Sequence, residues 1–291
     1  YISINAGGSG TNAAAHAAAA QFYEEHPESR MEIFIVDSHA YSMAEGAGVI
    51  EAKRRLDDGE TMEAVVEYLN DKYARMEILL TAYTLKVIRK SGRISAAAAI
   101  AGDLLGIHPI FTLNDGVSHI VKKVRGEKAV VSGMAATMAE RMAQAGADVI
   151  LGAHPNVVQG VERISTVRSD GLTYETVVCY SLGCLLTDAR DSENTAGMAV
   201  RLEMTYDPAV RRVWPGALEV TPLYIARQRE DSGIVYRVVN AQDEQALEKL
   251  TLSEQAAAAQ AAFPLVSANA AIIGAAAFLV IFLQTKRRER A

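Results

Sequence analysis

The chain has 291 residues, half of them hydrophobic, and a formal net charge of −6. That length suits about two domains, and that composition can fill sizeable cores. Basic residues are dispersed until the C-terminus, which excludes the clustered basic patch of a nucleic-acid surface. The only two cysteines, Cys179 and Cys184, give no disulfide framework and no metal-site spacing, so they read as buried, unpaired thiols.

The chain opens at Tyr1 in strand-like sequence, without an initiator Met or a signal peptide, and an N-terminal piece is expected to precede it. Residues 1–5 read as a short apolar strand. Ala6-Gly7-Gly8-Ser9-Gly10-Thr11 follows, and then an Ala-rich helix to about Glu25. Strand, glycine loop, helix is the order that points backbone N–H groups at an anion, although a plain tight turn accounts for the same residues. The loop lacks the Lys of a P-loop and the spacing of a dinucleotide fingerprint. MEIFIV at 31–36 is an apolar run of the kind found in parallel strands covered on both faces. Asp37-Ser38-His39 ends it. Adjacent residues cannot form a catalytic triad. Asp37 and Ser38 are expected to cap a helix beginning near Tyr41 or to line a ligand crevice at the strand's end. Helices over about 41–57 and 61–73, turned at Asp58-Gly59, and a strand over 78–82 complete an α/β alternation.

The next run is the most specific. It contains Ser91-Gly92-Arg93-Ile94-Ser95, an apolar helix ending in LLGIHPI at 104–110, a hairpin turn at Asn114-Asp115-Gly116, and Val124-Arg125-Gly126. Together with the glycine loop and with Val36-Asp37-Ser38, Ser42 and Gly46, these motifs resemble the DegV family over about residues 1–130. Members of that family bind fatty acids. The resemblance implies a carrier, not an enzyme. The acyl tail would lie in an apolar cleft between two α/β lobes, with the carboxylate held by hydroxyls and backbone amides near the glycine loop. A kinase partner would then phosphorylate the bound acyl group. The implied lipid-binding residues are Asn5, Ala6, Gly7, Ser9, Gly10, Thr11, Asp37 and Ser38. Arg93 is a further candidate for the acid, with a structural salt bridge as its plainer role. The family's serine pair in the loop stands here as Asn5 and Ala6.

After Gly126 the pattern changes. A helix over 135–145, stopped by Gly146, leads to a strand over 148–151 and to Gly152-Ala153-His154-Pro155-Asn156. GADVILGAHPNVVQGVE at 146–162, Tyr180-Ser181-Leu182-Gly183-Cys184 and Thr221-Pro222-Leu223-Tyr224 resemble the C-terminal part of the CapA family, over about 136–242. That family is associated with poly-γ-glutamate capsule synthesis and has a metallophosphatase-like fold. The resemblance implies a divalent metal only if ligands are completed elsewhere. His154 and Asn156, with Asp148, are at most remnants of such a site, and a loop histidine with ordinary hydrogen bonds is the plainer reading. No hydrolytic activity and no catalytic residue are expected. Further strands are read over 174–186, 198–206 and 234–239, and a helix or linker over 243–260.

Residues 265–283, LVSANAAIIGAAAFLVIFL, carry no charge and are followed by Lys286, Arg287, Arg288 and Arg290. As a helix this run is roughly 28 Å long, about the hydrocarbon thickness of a bilayer. It is expected to span a membrane, with the C-terminus cytoplasmic and the body outside. DegV-like proteins work in the cytoplasm, so the two expectations pull apart. The expected fold is α/β: parallel or mixed sheets with flanking helices in two incomplete pieces, 1–130 and 131–245. A linker at 246–264, a transmembrane helix at 265–284 and a basic tail at 285–291 follow. Three functional readings stand: lipid binding by the first half, a membrane-anchored capsule-synthesis protein, or a non-functional fusion of two truncated families.

Overall fold

The structure, a computed structural model, describes residues 1–83, 106–114, 117–153, 155–188 and 194–262. The expected membrane span, Arg93, Asp115-Gly116 and His154 lie outside these residues. The chain divides into two units, Tyr1–Val130 and Val131–Ala291.

In the first unit, Ile2–Ser3 (β1) pairs in parallel with Val36–Asp37 (β2). The expected strand over 31–36 is therefore only its last residue plus Asp37. The backbone amine of Tyr1 donates to the Phe34 carbonyl, so pairing ends where β1 ends, and residues 31–33 run beside no β1 residue. Thr11–Glu25 (α1) follows the glycine loop. Met43–Asp57 (α2) and Met62–Ala74 (α3) are joined through Asp58 and Gly59, whose φ of +88° suits glycine. The Thr61 hydroxyl accepts from the Ala64 N–H and caps α3. Val65, Leu69 and Tyr73, spaced along one face of α3, are buried against Val36, with Ile2, Ala52 and Leu56 packed around them. The α2–α3 contact is close at Gly48. A Cβ there would lie 1.7 Å from the Tyr73 hydroxyl, which donates to the Glu45 carbonyl.

The other strands of this unit depart from a doubly wound parallel sheet. Leu79–Thr81 (β3), Ile107–Asn114 (β4) and Val117–Arg125 (β5) form a separate antiparallel sheet in the order β3-β4-β5. The expected hairpin is there in its strands: Asn114 pairs with Val117. Gly126, at φ +82°, ends β5.

The helix Lys128–Gln144 (α4) begins seven residues earlier than the expected start at 135. The β-branched pair Val130-Val131 does not delay it, because Val130 is buried and packing outweighs its weak helix propensity. At its end, the Ala147 N–H donates to the Met142 carbonyl across Gly146, whose φ is +111°. Val149–Leu151 (β6), Val161–Val167 (β7) and Thr173–Cys179 (β8) form a mixed sheet in the order β6-β8-β7. Alternation along β8 divides its faces. Val178 and Tyr180 pack on Ala135 and Ala139 of α4, while Val177 and Cys179 pack with Met198 against a second sheet. That sheet is antiparallel: Ala196–Asp207 (β9), the 19-residue Arg212–Glu230 (β10) and Gly233–Asn240 (β11), ordered β11-β10-β9. Strand β7 is an addition to the expected elements, and β10 extends far beyond the 221–224 stretch that the sequence singled out. Of the two alternatives read over 243–260, helix or linker, the described residues form helix over much of the stretch. After the short helix Glu244–Leu247 (α5), Leu252–Ala262 (α6) is a helix whose fully buried Ala258 packs in one cluster with Tyr224 and Ala226 of β10. Its alanines are the contact surface, not a flexible tether.

The architecture is thus α/β with mixed sheets and helices. Among the described residues no helix is long and apolar enough to cross a membrane.

Candidate functional site

The loop after β1 is built against the loop after β2. Asn5 is fully buried. Its backbone N–H donates to the Ala40 carbonyl at 3.0 Å. Its side-chain NH2 donates to the His39 carbonyl at 3.2 Å, and its side-chain oxygen accepts from the Gly7 N–H at 2.9 Å. The Asp37 carboxylate accepts from the Ala6 N–H at 3.1 Å and the His39 N–H at 2.9 Å. The Ser38 hydroxyl is also buried and closes on Ala40, accepting from its N–H at 3.1 Å. These bonds correct the expected cap. Helix α2 starts at Met43 behind Ser42, so Asp37 and Ser38 turn the chain before the helix rather than capping it. Asn5, Ala6, Asp37 and Ser38 hold the loop, and their polar groups are engaged in doing so.

What the loop presents outward is different. Gly10 stands at the N-cap of α1 and offers no side-chain cap, and the first turn of α1 carries no acidic residue. The first intrahelical bond runs from the Ala14 N–H to the Gly10 carbonyl at 2.9 Å. The N–H groups of Asn12 and Ala13 precede it, at the positively polarised end of the helix. Ser9 and Thr11 bring their hydroxyls to 3.0 Å from each other at this exposed end, and the Thr11 N–H donates to the Ser9 hydroxyl at 3.3 Å. Amides, two hydroxyls and no carboxylate in the helix's first turn are an arrangement that can take an anion. Asn12 is a residue that the motif alone does not single out. Its side chain donates to the Ser3 hydroxyl at 2.9 Å and ties the start of α1 to β1.

A family model described as "Uncharacterised protein, DegV family" matches residues 1–184, more than half of the chain. The chain belongs to the DegV family. A DegV domain-containing protein of Clostridium acetobutylicum is 29% identical over 178 residues, covering 61% of this chain and 62% of that protein. One from Clostridium perfringens is 31% identical over 123 residues, covering 42% of this chain and 43% of that protein. The chain therefore spans less than two thirds of the length of these relatives. Among solved structures, the DegV family protein of Thermus thermophilus, described for its fatty acid binding, is 30% identical with a TM-score of 0.41, at 52% coverage of both chains.

The DegV match corrects the expected boundary. It does not stop near residue 130 but runs through α4, β6, β7 and β8 to residue 184. It thus takes in two of the stretches on which the CapA resemblance rested, 146–162 and 180–184, while Thr221-Pro222-Leu223-Tyr224 lies beyond it, and the comparisons give no support to a CapA-like part. The polar residues of those stretches have other partners. Asp148 accepts from the Arg168 guanidinium at 2.9 Å. Asn156 is exposed with φ +59°, and its carbonyl lies 3.4 Å from the Cys184 sulfur. Among the described residues no three His, Cys, Asp or Glu side chains are grouped as for a metal. Cys179 is fully buried, and burial pushes its thiol up to about 11, far from a nucleophile's range. It borders a small apolar recess with Met138, Met142, Ile150 and Tyr180. The Tyr180 phenol is raised by burial and by its hydrogen bond to Glu162.

Proposed function

We propose that the DegV-like part of this chain is a fatty-acid carrier, and that it holds the carboxylate at the open N-terminal end of α1. The observation that carries this reading is the uncapped helix start, with the Ser9 and Thr11 hydroxyls 3.0 Å apart and no acidic side chain in the first turn. A carboxylate there receives charge-assisted hydrogen bonds, which are roughly twice as strong as neutral ones. Family membership and the fatty acid that the DegV resemblance implies agree with this chemistry. Contact with the ligand then falls to Ser9, Gly10 and Thr11, while Asn5, Ala6, Gly7, Asp37 and Ser38 keep the loop in shape.

The acyl tail needs an apolar surface close by. Helix α2, which follows the 37–42 loop in the chain, carries a candidate. Met43 is 87% exposed and Ile50 72% exposed, and Ala47 stands on the same helical face between them. Covering such a stripe with hydrocarbon yields about 25 cal/mol for each Å2 removed from water. No chemical step is assigned to the carrier. A fatty-acid kinase that phosphorylates the bound acyl group is the partner this reading calls for.

Organic extraction of the expressed full chain, followed by mass spectrometry, tests the proposal. A fatty acid recovered in about equal amount to the protein is expected. Protein that is empty in every preparation, and that takes up no added oleate, overturns it.

A further inference from the structure

We propose that Tyr41 is a ligand-binding residue of this site, its phenol donating a hydrogen bond to the anionic oxygen held at the start of α1. The inference rests on the carrier reading above and goes beyond it, since neither motif nor family match singles out this position. Tyr41 lies in the loop between β2 and α2, and its hydroxyl rests on the glycine loop. A Cβ built on Gly8 would be 1.8 Å from the Tyr41 oxygen and 3.1 Å from its Cζ. Gly8 is the residue before Ser9 and two before the N-cap Gly10, so the phenol lies against the loop that leads into α1.

Three observations separate this tyrosine from ordinary packing. It is only half-buried, and among the described residues nothing hydrogen-bonds to its hydroxyl. A phenol partly withdrawn from water usually finds a partner. The contrast is Tyr73, whose hydroxyl also fills the space over a glycine of α2 but donates to the Glu45 carbonyl at 2.9 Å. Secondly, the residues flanking Tyr41 hold uncommon backbone conformations. His39 has φ +49°, and Ser42 has φ +58° with ψ −124°. Conformations of this kind in non-glycine residues cost on the order of 1–3 kcal/mol each and persist where surrounding bonds impose them. Here the imposing bonds are the Asn5 side chain on the His39 carbonyl and the Asp37 carboxylate on the Ala6 and His39 N–H groups. Thirdly, Gly8 alone leaves room for the ring, so the loop's second glycine and the tyrosine fit as a pair.

The test compares oleate with oleyl alcohol on the full chain and on Tyr41→Phe. Loss of the phenol hydrogen bond to a charged acceptor is expected to weaken oleate about tenfold and to leave oleyl alcohol unchanged. Thermal unfolding of the variant is expected to match that of the parent. Gly8→Ala, which pushes the Tyr41 oxygen away, should reproduce the oleate loss. Added to Tyr41→Phe it should weaken oleate no further, because the two changes remove one contact. Equal oleate binding by parent and Tyr41→Phe, equal losses for acid and alcohol, or additive losses in the double variant overturn the proposal while leaving the carrier reading intact. A parent chain that binds no oleate overturns both.

Discussion

The loop after β1 and the loop after β6 both follow a short strand and both contain glycine, yet they have disposed of their polar groups in opposite ways. After β1, buried side chains of Asn5 and Asp37 take up inner backbone groups, and the Ser9 and Thr11 hydroxyls are left at the exposed start of a helix. After β6, the backbone satisfies itself: the Gly152 N–H donates to the Cys179 carbonyl at 2.6 Å, and the flanking Asp148 is engaged with Arg168. The first loop is propped open by side chains. The second is shut by main chain. A glycine in a strand–loop context therefore has no fixed meaning; its meaning depends on what occupies the space a side chain would fill.

That contrast can be broken most directly at the glycines. A Cβ at Gly152 would lie 2.0 Å from the Tyr180 carbonyl oxygen and 2.6 Å from its carbon, both backbone atoms that cannot step aside without parting β6 from β8. Gly152→Ala is expected to cost about 3 kcal/mol, at the upper end for overpacking a core. At Gly10 nothing lies within 4 Å of a Cβ, and φ is an ordinary −74°. Gly10→Ala is expected to leave stability within about 0.5 kcal/mol of the parent. Urea midpoints of the two variants measure the difference. Similar midpoints would mean that the two loops are equally tolerant and that the comparison fails.

The buried thiol sharpens the same comparison from the closed side. Cys179 has an ordinary value of 9.0 that burial raises to about 11. The unfolded chain therefore loses this proton first as pH rises. Its contribution to stability is complete below pH 9 and falls away between pH 9 and about 11. The loss at the upper limit is on the order of 2 kcal/mol. Stability of the parent minus that of Cys179→Ala, measured by urea titration from pH 7 to 11, should be flat to pH 9 and decline beyond it. A flat difference throughout would place the thiol in contact with water.

How much of this was legible beforehand differs between the two loops. The glycine loop, the α1 and α3 helices, the β4–β5 hairpin and the family were readable, because each has a local signature: glycine spacing, a Thr cap, a two-residue turn, a run of matched motifs. What Asn5, Asp37 and Ser38 do was not. Each residue type suits a cap or a ligand contact equally well, and only the approach of residues 37–40, more than thirty positions along the chain, decides that they serve the loop. Tyr41 was invisible for the same reason, since its partner Gly8 is distant in sequence. The CapA reading of the second half, which treated its polar residues as at most remnants of a metal site, found no support in the comparisons. His154, Asn156 and Asp148 matched a pattern of residue types, but Asp148 is committed to an arginine and Asn156 is exposed. Strand β7 and most of β10 escaped notice because antiparallel pairing tolerates the interspersed charges that break an apolar run.

The smallest expected effect is also the one that tests the open loop most narrowly. Gly10→Asp places a carboxylate at the start of α1, where the helix has neither a side-chain cap nor an acidic first turn. Interaction with the helix dipole should raise stability by about 0.5 kcal/mol at low salt. The same carboxylate would occupy the position proposed for the fatty acid's own, so oleate affinity should fall as stability rises. Most destabilising changes lower stability and binding together. Opposite movement, measured by thermal unfolding and oleate titration on one sample, is the signature of a helix end left uncapped for a ligand. If stability and affinity rise or fall together, the start of α1 is an ordinary exposed helix end and the carboxylate is held elsewhere.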